Sequence, residues 1–196
     1  MKSMMKDAVI LFVITLISGM LLGVVFEVTK EPIAASQAKR KNEACKEVFQ
    51  DAANFEALEI SEPENGEKKS ATINSVSSAV TEDGTVLGYV LDVTTHEGYN
   101  GDIQFTLGIR GDGTVNGISL LSIAETPGLG MKAEEVLKPQ FAQKKVSVFS
   151  YTKTGAMSPE QIDAISGATV TTNALVNGVN AGLTFFNTQL GGAQSE

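Results

Sequence analysis

"IQFTLGIRGDGTVNGISLLSI", residues 103–123, carries the plainest signal of architecture in the chain. Ile103, Phe105, Leu107 and Ile109 alternate with Gln104, Thr106 and Arg110. That period of two is what a strand with one buried face requires. "GDGT" at 111–114 follows, and Val115 to Ile123 supplies a returning strand. Asp-Gly between two such runs specifies a tight hairpin, because Gly enters positive φ at no steric cost. Upstream, Leu87, Tyr89, Leu91 and Val93 alternate in the same way behind a second Asp-Gly turn, "EDGT" at 82–85. "HEGYNGDI" at 96–103 marks a bulge or long hairpin through Gly98, Tyr99 and Gly101. The middle of the chain therefore reads as a mostly antiparallel sheet with short connections.

Helical patterns flank it. Residues 31–58 read as a helical stalk after Pro32, with Ala34, Ala35, Ala38, Ala44, Val48, Phe49 and Ala52 near helical spacing. "SEPENGEKKS" at 61–70 is a polar loop. Beyond the sheet, "ETPGLGMKAEEVLKPQF" at 125–141 predicts a glycine-rich loop and a short helix ending near Pro139. "VSVFSYTK" at 146–153 predicts a further strand. "SPEQID" at 158–163 predicts a helical turn, with Ser158 as cap and Pro159 at the first helical position. A final helix beginning near Thr171 presents Leu175, Val179, Leu183, Phe186 and Leu190 on one face, and "GGAQSE" at 191–196 is a fraying tail. The fold class is α+β, a mostly antiparallel sheet with flanking helices.

A single transmembrane helix is expected ahead of this domain. Residues 8–26, "AVILFVITLISGMLLGVVF", carry no charge and are bracketed by Asp7 and Glu27. Nineteen helical residues span about 28 Å, close to the thickness of a hydrocarbon core. A cleavable signal peptide has a shorter apolar region and a small-residue cleavage site, which "FEVTKEP" does not offer. Gly19 and Gly23 form a GxxxG pair, equally explained by the ordinary frequency of glycine in membrane helices. Lys2 and Lys6 precede the span while Lys30, Lys39, Arg40 and Lys41 follow it, so counting charges leaves the orientation open. The expected divisions are a membrane anchor at 1–29, the stalk at 30–60, the domain at 61–190 and the tail at 191–196.

Composition excludes several functions. A net charge of −8 argues against a nucleic-acid partner, whose phosphates need a basic surface. One cysteine, Cys45, and one histidine, His96, cannot build a Cys/His metal site, a disulfide or an iron–sulfur centre. Any redox group is therefore organic, and no metal site is expected. A Ser/His/Asp arrangement is not evident, and the serine of "SGAT" lacks a G-x-S-x-G setting. No catalytic residue is assigned.

Two stretches remain. "DAISGATVTTNALVNG" at 163–178 crowds Ser166, Thr169, Thr171 and Thr172 ahead of a helix, beside the small Gly167 and Ala168. A helix start carries unpaired N–H groups and partial positive charge, so an anion such as phosphate is stabilised there. Helix capping explains the same hydroxyls, and Asp163 reads equally as a cap of the preceding turn. "ETPGLG" at 125–130 sets Leu129 between Gly128 and Gly130, either as an apolar tip covering a planar ligand or as a turn residue tucked into the core.

Taken together, "GYNGDI", "ETPGLG" and "DAISGAT" behind an N-terminal anchor resemble the FMN-binding domain family. More narrowly they resemble the G-subunit family of Rnf-type ion-translocating electron transport complexes, to which the C component of the Na⁺-translocating NADH:quinone reductase is similar. The family's flavinylation motif is matched in full by Asp163, Ala164, Ile165, Ser166, Gly167, Ala168 and Thr169. The resemblance implies an FMN held by Thr169 through a phosphoester bond, with Asp163, Ser166, Gly167 and Ala168 shaping the attachment site. It implies that Thr126 and Leu129 contribute to the flavin environment. It further implies a flavin transferase during maturation, other membrane and redox subunits as partners, and a domain outside the cytoplasm. The expected function is electron transfer within a cell-membrane complex that couples ferredoxin oxidation and NAD⁺ reduction to Na⁺ or H⁺ movement. The alternatives are a stand-alone membrane flavoprotein of another extracytoplasmic route and a non-redox anchored binding module.

Overall fold

Strand pairing follows the alternation. The computed structural model describes residues 2–59 and 70–191. The polar loop at 61–70 and the tail at 191–196 lie, apart from Ser70 and Gly191, outside the described residues. Strands β1 (Asn54–Leu58), β2 (Ala71–Val80), β3 (Val86–Thr95), β4 (Ile103–Arg110) and β5 (Val115–Ser122) form one antiparallel sheet in chain order. Both Asp-Gly turns close hairpins, with φ of +82° at Gly84 and +84° at Gly113. Ile103, Phe105, Leu107 and Ile109 are completely buried, as their spacing requires.

Helix α4 (Thr169–Phe185) lies against that face. Leu175, Val179 and Leu183 join the four β4 side chains in the main core. Two glycines set the approach. A Cβ at Gly178 would stand 2.9 Å from the Phe105 ring, and one at Gly182 would run into Leu107. Their lack of side chains brings the helix backbone down onto the sheet. Short helices α2 (Ala133–Val136) and α3 (Lys138–Phe141) close the core's edge, where Phe141 meets Phe149 edge-on at 5.1 Å.

The chain forms two units, Met1–Arg40 and Lys41–Glu196. Helix α1 (Lys2–Val48) runs through both. In the first unit its apolar side chains, Phe12 and Leu22 among them, are exposed, and the helix is long and apolar enough to cross a membrane. In the second unit its last turns cover the sheet face opposite α4, where Cys45, Val48 and Phe49 pack on Ala79 and Val90. Beside them Lys41 Nζ pairs with the buried Asp92 at 2.9 Å. Asn74 and Gln104 both donate to Asp92 Oδ1, at 3.0 and 2.8 Å. A buried carboxylate is tolerated because its acceptor sites are filled.

Four local expectations are corrected. The helix at 31–58 ends at Val48, and 54–58 is the edge strand β1, paired with β2 from Asn54↔Val80 to Leu58↔Val76. Hydrogen bonding to β2 outweighs local helical spacing there. "SPEQID" is a turn leading into β7 (Gln161–Asp163), which pairs in parallel with β6 (Ser150–Thr152). The side chain of Gln140 completes β7, accepting from Asp163 N at 2.7 Å and donating to Asp163 O at 3.1 Å. Pro139 falls in the first turn of α3 instead of ending a helix, a position where its missing N–H costs nothing. Finally, α4 begins at Thr169, two residues before Thr171.

Candidate functional site

The density of hydroxyls before α4 resolves into distinct roles. The N-cap is Ala168, and no side chain caps the helix. Thr172, fully buried, donates to Ala168 O at 3.0 Å and accepts from Ile165 N at 3.2 Å. Thr171, also buried, donates to Glu125 Oε2 at 3.1 Å. Ser166 and Thr169 make no side-chain hydrogen bond among the described residues. Ser166 is exposed and Thr169 half-buried at the first position of the helix. Capping therefore does not account for the hydroxyl at 169.

Thr169 borders a cavity of about 440 Å³, within the range of small-molecule sites. One wall is Gly167, Ala168, Thr169, Val170 and Thr171; the other is Glu125, Thr126, Leu129 and Gly130, with Tyr99 at the edge. The loop wall is built around Thr126, whose carbonyl accepts from Leu129 N at 3.1 Å and Met131 N at 3.2 Å. Pro127 and Gly128 make that turn possible, Gly128 at φ +76°. Gly167 adopts φ +79°, and a Cβ there would come within 3.1 Å of Leu129 Cδ2. Leu129 thus leans on the turn before α4 while staying 40% exposed, and Tyr99 is 71% exposed. Leu129 is an apolar tip on a braced loop and not a core residue.

Of the residues expected from sequence, the cavity brings together Thr126, Leu129, Gly167, Ala168 and Thr169. Asp163 and Ser166 are not in its lining. Asp163 Oδ1 accepts from Ala156 N at 2.6 Å and so ties the 153–157 segment to β7. His96 stands apart as well, bonded to Thr72 Oγ1 and Asp102 Oδ1 at 3.0 Å each. Cys45 lies on the buried face of α1, where burial pushes its thiol above the ordinary value. Among the described residues no group of three His, Cys, Asp or Glu side chains could hold a metal ion.

Glu125 is the residue that sequence reasoning passed over. It is 5% exposed and links all three motifs. Its Oε1 accepts from Tyr99 N at 2.7 Å and Asn100 N at 3.4 Å, while Oε2 accepts from Thr171. It opens the "ETPGLG" stretch, but a lone acidic residue in a loop normally signals solvent.

The chemistry this geometry suits is narrow. The first N–H groups of α4 have no intrahelical acceptor and face an anion favourably. Leu129, Ala168, Val170 and Tyr99 give the cavity apolar lining, and the Thr169 hydroxyl, with no hydrogen bond among the described residues, borders it. A phosphate ester of a planar aromatic molecule matches both halves.

Comparison with known proteins points the same way. Residues 98–184 match the FMN-binding domain family, and residues 1–48 match the RnfG N-terminal region. The G component of the Na⁺-translocating ferredoxin:NAD⁺ oxidoreductase complex of Acetobacterium woodii is 34% identical, covering 91% of this chain and 89% of that one. The G component of the ion-translocating oxidoreductase complex of Methanosarcina acetivorans is 32% identical, covering 97% and 98%. The crystal structure of Shewanella oneidensis NqrC shares the fold, with a TM-score of 0.51, 20% identity and 71% of each chain covered.

Proposed function

This chain belongs to the G subunits of ion-translocating oxidoreductase complexes, and we propose that it transfers electrons through an FMN esterified to Thr169 Oγ1. It serves a ferredoxin:NAD⁺ oxidoreductase that moves Na⁺ or H⁺ across the membrane, with the other membrane and redox subunits as partners. The observation that carries the attachment is the Thr169 hydroxyl, which borders the cavity at a helix start and has no hydrogen-bond partner among the described residues.

The flavin, when bound, supplies the reversible uptake and release of electrons. The chain supplies the rest. Thr169 fixes the phosphate end, and the opening turn of α4 stabilises its charge. Leu129, Val170 and Tyr99 would offer the ring system apolar contact and exclude water from it. Thr126 holds the loop that carries Leu129. Residues 8–26 of α1 cross the bilayer once, and the domain lies outside the cytoplasm. There a flavin lost from a non-covalent site is not easily replaced, which is the advantage of the ester. A flavin transferase installs it.

The test is expression of the full chain with and without a flavin transferase, followed by in-gel fluorescence after denaturation. Fluorescence is expected only with the transferase, and only when Thr169 is present. A fluorescent Thr169→Ala band under the same conditions would falsify the assignment.

A further inference from the structure

The fold makes room for the carboxylate of Glu125 at two glycines. A Cβ at Gly98 would fall 2.9 Å from Glu125 Oε1 and strike the Gly101 carbonyl. A Cβ at Gly130 would fall 2.6 Å from both Glu125 Cβ and Thr171 Oγ1. Two backbone N–H groups and one hydroxyl converge on the carboxylate. No Lys, Arg or His among the described residues pairs with it. Asn100 Nδ2 donates to Ala124 O at 2.7 Å, pinning the same hairpin tip to the same loop. A charge withdrawn from water without a counter-ion is costly, and charge-assisted hydrogen bonds and the N-terminal end of α4 are what offset it.

We infer that Glu125 is a positioning carboxylate: it fastens the Tyr99 hairpin tip and the first turn of α4 to the Thr126–Gly130 loop, and its negative charge holds the flavin potential low. The second half rests on the flavin reading above; the first does not. The loop, the hairpin and the helix come from distant parts of the chain, and Glu125 is bonded to both of the others. In a partly dry cavity wall, a fixed negative charge raises the energy of an added electron more than it would in water.

Two variants separate the halves. Glu125→Gln retains an oxygen for both N–H groups, and the Thr171 hydroxyl can rotate to accept from the new amide. It removes charge and keeps geometry. Glu125→Ala removes both. Amide hydrogen exchange at Tyr99 and Asn100 is measured in full chains that also carry Thr169→Ala, so the readout is independent of flavin. Exchange is expected to accelerate about tenfold or more in the alanine variant, on the scale of local opening, and to change little in the glutamine variant. Unchanged exchange in the alanine variant overturns the positioning role. In flavin-loaded full chains the midpoint potential of Glu125→Gln is expected to lie positive of the wild type. An equal or more negative potential overturns the electrostatic role. A wild-type chain that takes up no flavin contradicts the proposed function and the electrostatic role with it, while the exchange comparison still decides the positioning role.

Discussion

Thr169 and Thr172 sit three residues apart on one helix and have opposite dependences. Thr172 satisfies a backbone acceptor at Ala168 and a backbone donor at Ile165, with no exposure to water. Thr172→Ala leaves Ile165 N without that partner and is expected to cost about 1–3 kcal/mol in denaturant unfolding, with the slope unchanged. Thr169 is half-buried and its side chain makes no hydrogen bond among the described residues, so Thr169→Ala is expected to stay within about 0.5 kcal/mol of the flavin-free wild type. Reversed magnitudes would mean that the site had been divided wrongly. The crowding of hydroxyls was legible in the sequence; their division was not. It depends on Ala168 taking the N-cap, a position where alanine is disfavoured, and on Thr171 being drawn to Glu125. That contact joins residues 46 apart in sequence, and no local pattern encodes it.

At the scale of elements, the end of α1 is clamped by charge as well as by its apolar face. Lys138 Nζ reaches Glu47 Oε1 at 2.6 Å and also Glu134, and Ser119 Oγ donates to Glu47 at 2.5 Å. Burial pushes the Glu47 carboxyl up, but the hydrogen bonds from Lys138 and Ser119, with the Lys138 charge, outweigh it and hold the carboxyl below its ordinary value. Burial pushes the Lys138 ammonium down, and bonds to Glu134 and Glu47 outweigh that in turn and raise it. A depressed carboxyl contributes stability above its unfolded pKa and loses it as pH falls through the folded one. A raised ammonium contributes below its unfolded pKa and loses it as pH rises through the folded one. The clamp is thus intact at neutral pH. Glu47→Gln is expected to lower stability there by about 0.5–1 kcal/mol, modest because Glu47 is solvent-screened. Unfolding curves of variant and wild type should converge in acid; a gap constant with pH would contradict the clamp. On the opposite face, Gly182→Ala drives a methyl into Leu107 and is expected to cost about 1–3 kcal/mol through overpacking. A neutral result in thermal unfolding would mean that α4 can lift off the sheet freely.

Elements were readable where burial imposed a period. Ile103 to Ile109 and Leu175 to Leu183 kept their faces because the two runs bury each other. β1 was missed because it is a mostly exposed edge whose burial shows no alternation. β7 was missed because Ser158 and Pro159 resemble a helix start, while its pairing partner and the Gln140 side chain lie elsewhere in the chain. Local signals and non-local hydrogen bonds disagreed at both places, and the non-local bonds prevailed.

For the whole molecule, the division at Lys41 makes a direct prediction. Both hydrophobic clusters are drawn entirely from residues after that point. A chain starting at Lys41 is expected to fold cooperatively and stay soluble without detergent, whereas the full chain should partition into the detergent phase. A truncated chain that aggregates or lacks a cooperative transition would show that the domain depends on the preceding helix. A helix long and apolar enough to cross a membrane was plain from the uncharged run at 8–26, since bilayer thickness sets that length. Orientation was not, because basic residues flank both ends. The electron-transfer account finally depends on one bond, and intact-mass spectrometry with peptide mapping of the full chain, purified from cells containing a flavin transferase, addresses it most directly. The account predicts an added mass of one FMN less one water, confined to the peptide bearing Thr169 and absent from Thr169→Ala. An unmodified mass, or the same increment on any other residue, would contradict it.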